Sequence, residues 1–305
     1  MKKLIMIYFL LLFSFISTLY SQQKQKIDDV FLCKPDKNQI ILDENYSFLD
    51  SNYNYYDEAN RIDALANKYI GENKRSDSYF FDKYQSNLEG FTKLKPGNEF
   101  YISTYNNVFK SKIIGYQLWD NVPMGYSFNP VLENQLSLKE DTSDYNRNLF
   151  ICSKYENIST INLKGIEDKE TIKKVTAFLK EYEDKIEYDK ESETIDDPAE
   201  IKVFEANFLN SDKREYAVSY RKRVAFDKYA SGIFIVNEIG KIAVTVVEFK
   251  TEFNYYMLLG VVDYNGDGQY ELLGENGYYE GIGYELYKNN AGKYEIIAAG
   301  FYWGV

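Results

Sequence analysis

The sequence contains no histidine. Serine–histidine and cysteine–histidine nucleophilic machinery and histidine-ligated zinc are therefore excluded, which leaves carboxylate, lysine or tyrosine chemistry for any enzyme. Cysteine is almost as scarce, with only Cys33 and Cys152 present. In an oxidising compartment the two could form one bridge closing a long loop; the alternative is a pair of buried apolar side chains. Positive charge is also in deficit, with 36 Lys and Arg against 47 Asp and Glu and a formal net charge of −11. A surface of that sign repels phosphate backbones and anionic lipid and attracts cations, so nucleic acid and membrane-surface partners are disfavoured and calcium is favoured.

Long apolar runs are missing except at the amino terminus. There Lys2 and Lys3 precede the unbroken run Leu4 to Phe13, a largely apolar stretch to Tyr20, and the polar Gln22-Gln23-Lys24. This order predicts a secretory signal peptide over residues 1–21, cut after Ser21, and hence an exported protein at the cell surface, in the periplasm or outside the cell. Leu19, two residues before Ser21, is larger than the small residue usual there, and an uncleaved anchor is the alternative. Cys33 lies too far beyond the apolar run to be a lipid-attachment site. Removing the segment deletes Lys2 and Lys3 and leaves the chain still more acidic.

The whole chain is 45% hydrophobic, enough to bury a sizeable core. Residues 22–187 read as an α+β region. Ile62, Leu65, Ala66, Tyr69 and Ile70 repeat with helical spacing between a capping Asp57 and Gly71. A second helix is predicted over Lys169 to Ile186, capped by Asp168, with Ile172, Val175, Leu179, Tyr182 and Ile186 on one face. Between them, residues 99–120 read as two strands about Asn106-Asn107, and residues 148–154 as another; Val122-Pro123 and Asn129-Pro130 are turn signals. Residues 188–199 are acidic and lack apolar periodicity, which predicts a linker. Residues 200–305 carry dense strand signals separated by Gly, Asn and Asp, with no helix between them, as expected of an antiparallel β-meander.

The most informative stretch runs from Asp263 to Glu271. Oxygen-bearing side chains occupy positions 1, 3, 5 and 9 (Asp263, Asn265, Asp267, Glu271), and Gly268 stands at position 6. Calcium needs six to eight oxygens, and alternate residues of a tight loop can turn toward one centre when glycine permits the bend. An EF-hand fails at position 12, where Gly274 replaces the required glutamate, and strands rather than helices flank the loop. A metal-free hairpin turn is the competing reading, since Asn265-Gly266 and Asp267-Gly268 both suit positive φ. Upstream, Asn207-Phe208-Leu209-Asn210-Ser211-Asp212-Lys213-Arg214-Glu215 echoes the loop but has lost its acidic positions.

Residues 260–274 resemble the FG-GAP repeat of integrin α-chains and of secreted bacterial proteins. That resemblance implies a calcium loop on a propeller-like blade, with Asp263, Asn265, Asp267 and Glu271 giving side-chain oxygens and Gln269 a backbone carbonyl. It also makes the segment near 207–218 a second, metal-free copy. Residues 200–305 hold about two blades where propellers typically need four to eight. The expectation is thus an α+β protein with a helix-containing amino-terminal region and a propeller-blade-like carboxy-terminal meander.

An alternative places Glu275, Glu280 and Glu285 with Phe301-Tyr302-Trp303 in a sugar-binding cleft, where a carboxylate pair could hydrolyse glycans. The reading carried forward is a secreted or envelope-associated calcium-binding protein, non-catalytic, with a protein or glycan partner. Asn45 and Asn157 begin formal glycosylation sequons.

Overall fold

The structure is a computed structural model that describes residues 29–36, 39–43, 55–70, 78–83, 92–121, 125–135, 148–186, 197–278 and 281–304. The expected signal peptide, most of the acidic linker and Asn45 lie outside them. Within them the chain is β-rich, with fifteen strands in antiparallel sheets and three helices, so the helical share is smaller than the expected α+β class implies. No helix among the described residues is long and apolar enough to cross a membrane.

Strands β1 (Val30–Asp36), β2 (Gln39–Asp43), β4 (Glu99–Ser103), β5 (Val108–Asn121), β6 (Gly125–Glu133) and β7 (Phe150–Ser153) form a closed antiparallel barrel, and β3 (Ser78–Phe81) adds to β5. Strand alternation splits their side chains. Phe31, Cys33, Ile40, Leu42, Phe100, Ile102, Ile113, Leu132, Phe150 and Cys152 cluster on one side, while Val30, Leu32, Ile41, Val131 and Ile151 face a different core. Cys33 and Cys152, fully buried on the adjacent strands β1 and β7, form a disulfide. Pro130 sits inside β6 rather than in a turn. It pairs with Tyr116 of β5, and the ladder to β2 begins only at Val131, so the flank where proline lacks a donor has no strand to satisfy.

Helix α1 (Tyr55–Tyr69) lays Leu65 and Ala66 onto Phe81, Tyr116 and Leu118, using the face its periodicity predicted. The second predicted helix is broken into α2 (Lys169–Val175) and α3 (Leu179–Glu183). Thr176 Oγ1 donates to the Ile172 carbonyl at 2.6 Å, a back-bond that bends helices, and the residue itself leaves helical geometry. Asp168 caps α2 as expected, accepting from Thr171 N at 2.8 Å.

The carboxy-terminal strands form two four-stranded meanders. One is β8 (Glu200–Glu205), β9 (Glu215–Ala225), β10 (Lys228–Asn237) and β11 (Ile242–Glu252); the other is β12 (Tyr255–Val262), β13 (Glu271–Tyr278), β14 (Gly281–Asn290) and β15 (Lys293–Gly304). Both are antiparallel and keep sequence order. The β12–β15 sheet lies in the middle. Leu259, Leu273, Leu286 and Ile297 pack on the outer side of the barrel strands, while Leu258, Val261, Leu272 and Tyr287 meet Phe204, Ala217, Ile233 and Ile235 of the other meander. Strand β15 rests directly on β1 and β2, where Gly300 leaves no room for a Cβ beside Asp43. Helices α2 and α3 cover the far side of β8–β11, with Val175 and Leu179 against Val203, Val218 and Phe234.

Candidate functional site

Where β12 ends, Asp263 turns the chain. Its carboxylate accepts from Gly266 N at 2.7 Å and from Gly268 N at 2.9 Å, Asn265 Oδ1 accepts from Asp267 N at 3.3 Å, and Asp267 Oδ1 accepts from Gln269 N at 2.8 Å. Short Asx side chains thus organise the loop from within, and Gly266 (φ 73°) and Gly268 (φ 83°) supply the left-handed positions. Asn265 Nδ2 also donates to Asp267 Oδ2 at 2.8 Å.

The loop is braced on two sides. Ser159 receives Asp263 N on its hydroxyl at 2.9 Å and gives its own N–H to the Asp263 carbonyl at 2.8 Å, while Ser153 Oγ donates to the Tyr264 carbonyl at 2.8 Å. From the other meander, Asn207 Nδ2 donates to the Gly268 carbonyl at 2.9 Å and the Asn207 carbonyl accepts Tyr270 N at 2.8 Å. Gln269 Nε2 donates to the Phe208 carbonyl at 2.7 Å. The Asp263 loop therefore sits at the junction of all three sheets.

Glu271, the first residue of β13, is only 1% exposed. Its Oε2 accepts Tyr264 N at 3.1 Å, whereas Oε1 is buried without a hydrogen-bond partner and has Lys288 Nζ 3.7 Å away. Burial pushes this carboxyl up to about 8; Asp267 and Asp263 add repulsion, while the Tyr264 N–H and Lys288 pull the other way. Lys288 reaches in from β14, also donating to Tyr264 Oη at 3.1 Å and lying 4.6 Å above that ring. Burial works against its ammonium, but Tyr264, Glu271 and Asp267 outweigh it and raise the Lys288 pKa.

The upstream echo shares the local geometry of the Asp263 loop. Asn207 to Glu215 joins β8 to β9 as Asp263 to Glu271 joins β12 to β13, and the residue at the fourth loop position has positive φ in both, Asn210 (56°) and Gly266 (73°). Glu215 is likewise buried and its Oε2 likewise accepts the amide of the second loop residue, Phe208 N, at 2.7 Å, together with Leu209 N at 2.7 Å. Its Oε1 accepts the hydroxyl of Ser211, the fifth residue. One glutamate is thus sealed by three donors. The other, whose fifth residue is the anion Asp267, keeps an open oxygen.

Of the predicted ligands, Asp263, Asn265, Asp267, Gln269 and Glu271 all belong to this one loop. Among the described residues no group of three or more Asp, Glu or Cys side chains lies close enough to hold a metal ion unaided. The sequence did not single out Lys288 or Ser159 for this site, and it marked Asn207 only as the start of the upstream echo. Leu272 pairs with Tyr287, so continuing that register by one step sets Lys288 opposite Glu271, a signal that exists only once the hairpin is known.

Of the alternative glycan residues, Glu275 and Glu285 lie with their side chains among the described residues. Glu275 pairs with Tyr284 and Glu285 with Gly274, which places the two carboxylates on opposite faces of the sheet. Glu275 accepts Tyr255 Oη at 2.6 Å and pairs with Arg221 at 3.5 Å; Glu285 accepts Asn276 Nδ2 at 3.1 Å and Tyr287 Oη. Glu280 and the side chain of Trp303 lie outside the described residues. Compared with known proteins, the chain matches no family model, no curated protein and no solved structure.

Proposed function

We propose that this chain is an exported, non-catalytic binding or structural protein in which Asp263, Asn265, Asp267, the Gln269 backbone carbonyl and Glu271 hold one calcium ion that ties its sheets together. The carrying observation is the contrast between two loops of one backbone design. In the Asn207 loop a hydroxyl closes the buried glutamate. In the Asp263 loop an aspartate stands where the hydroxyl was, and the glutamate's second oxygen is left without a hydrogen bond. A buried carboxylate oxygen without a hydrogen-bond donor favours a proton or a cation, and oxygen-only ligands on an acidic loop suit a hard divalent one. Ion binding calls on Asn265 and Asp267 to give up their mutual hydrogen bond.

In this reading β8–β11 and β12–β15 are two FG-GAP-like, blade-like repeats, of which only the second keeps its ion. The ion is structural: it relieves repulsion among Asp263, Asp267 and Glu271 where three sheets meet, and the partner is a protein or a glycan bound elsewhere on the surface. At ~1 mM calcium and a Kd of ~0.1 mM, binding to the folded state alone stabilises it by about 1.4 kcal/mol. Thermal unfolding in millimolar calcium and in chelator, with Asp267→Ala alongside, tests this. A calcium-dependent rise in midpoint that Asp267→Ala abolishes supports the proposal, and an unchanged midpoint in the wild-type protein refutes it.

A further inference from the structure

We propose that Lys288 is a tethered counter-ion that competes with calcium for Glu271 and so sets the affinity of the loop. This rests on the calcium reading above and adds a residue that lies outside the loop. Three observations carry it.

The first is position. Lys288 Nζ is the cation paired with Glu271 Oε1, the buried oxygen that no hydrogen bond satisfies, at 3.7 Å. Tyr264 holds the ammonium from a second direction, through its hydroxyl and its ring. The second is mobility of charge: the Glu271 side chain is 1% exposed but that of Lys288 is 23% exposed, so the long stem can carry the ammonium out to water while the carboxylate stays.

The third is an internal comparison. In the sister repeat Glu215 pairs across the sheet with Asn237, and Asn237 is therefore the counterpart of Lys288. The two repeats differ in step. Where the fifth loop residue is the neutral Ser211, the cross-strand residue is the neutral Asn237; where it is the anionic Asp267, the cross-strand residue is the cationic Lys288. The asparagine there is engaged in its own turn, accepting Ile239 N and Lys241 N. Lysine at this place follows the extra negative charge.

Calcium and the ammonium cannot share one buried oxygen, because like charges in a poorly solvated site repel strongly. Ion entry expels Lys288. The protein without calcium is thereby spared an uncompensated carboxylate, and the loop binds more weakly than its oxygen donors alone would allow.

The test is calorimetric titration with calcium chloride of the wild-type protein, Lys288→Met and Lys288→Arg, each followed by thermal unfolding in chelator. Lys288→Met, which keeps the stem and loses the charge, is expected to bind calcium at least tenfold more tightly while melting lower in chelator; Lys288→Arg stays near the wild type. A lysine with a merely structural role would lower both quantities in Lys288→Met. Equal or weaker calcium binding by a folded Lys288→Met overturns the competition while leaving the loop site standing. Absence of calcium binding by all three proteins overturns the loop site, and the competition with it. Should Lys288→Met fail to fold, Lys288→Gln replaces it under the same criteria.

Discussion

The two buried glutamates should answer oppositely to the same substitution. Glu215→Gln replaces a carboxylate that accepts Phe208 N, Leu209 N and the Ser211 hydroxyl. Hydrogen bonds to a charged acceptor contribute about 1.5–3 kcal/mol and neutral ones about 0.5–1.5. Three bonds therefore lose about 2–4 kcal/mol in total, even if the Ser211 hydroxyl turns round to accept from the new amide. Glu271→Gln removes a carboxylate with one hydrogen bond and a pKa pushed up to about 8. Because the folded state holds this proton more tightly than the unfolded chain, whose value is near 4.5, the wild-type protein in chelator loses stability as pH rises from about 4.5 to about 8. At 1.36 kcal/mol per unit, the ionised group costs on the order of 5 kcal/mol above that range. Glu271→Gln should then lie within about 1 kcal/mol of the wild type near pH 4, where folded and unfolded chains both hold the proton, and be the more stable protein near pH 9. Urea unfolding followed by tyrosine and tryptophan fluorescence, in chelator at both pH values, gives all four differences. A Glu271→Gln that loses as much as Glu215→Gln at pH 9 would refute the distinction between a sealed and an open carboxylate.

Other expectations follow from the same geometry. Replacing both cysteines by alanine opens a crosslink spanning 119 residues, for which the chain-entropy estimate is about 5 kcal/mol, and urea midpoints should shift accordingly; a loss below about 1 kcal/mol would contradict a bridge at the barrel core. Gly266→Ala and Gly268→Ala both place a side chain at positive φ, at about 1–2 kcal/mol each, but a Cβ on Gly266 would lie 2.3 Å from that of Asn157 whereas one on Gly268 meets nothing within 4 Å. Thermal melts should therefore rank Gly266→Ala clearly below Gly268→Ala, and equal midpoints would show that the contact with Asn157 does not form.

Local chemistry made the loop and most of the carboxy-terminal strands legible. Apolar runs separated by turns bearing Gly, Asn or Asp announced β9 to β15, and Asp263 to Glu271 stood out through oxygen spacing alone. The barrel was harder to see. Val30 to Cys33 is buried on both faces, one toward the disulfide core and one toward the β12–β15 sheet, so no alternation marks it as a strand. Pro130 reads as a turn because its missing partner on one flank is a tertiary fact. The helix break at Thr176 hides in a side-chain back-bond that periodicity does not register. At the site, Lys288 and Ser159 arrive from separate elements at separations from the loop that carry no pattern, and Asn207 shows in the sequence only as the start of the upstream echo.

The placement of β15 over β1 and β2 bears on biosynthesis. The barrel strands leave the ribosome early, yet Val30, Leu32 and Ile41 share their core with Ile297 and Ala298 of β15. Domains generally fold from the amino terminus as they are made. Here a barrel assembled on that schedule shows an oily flank until residues 293–304 have followed it, and a chain cut short before them leaves that flank bare. Burial of the barrel's outer flank is thus coupled to the making of a strand more than 250 residues further along the chain.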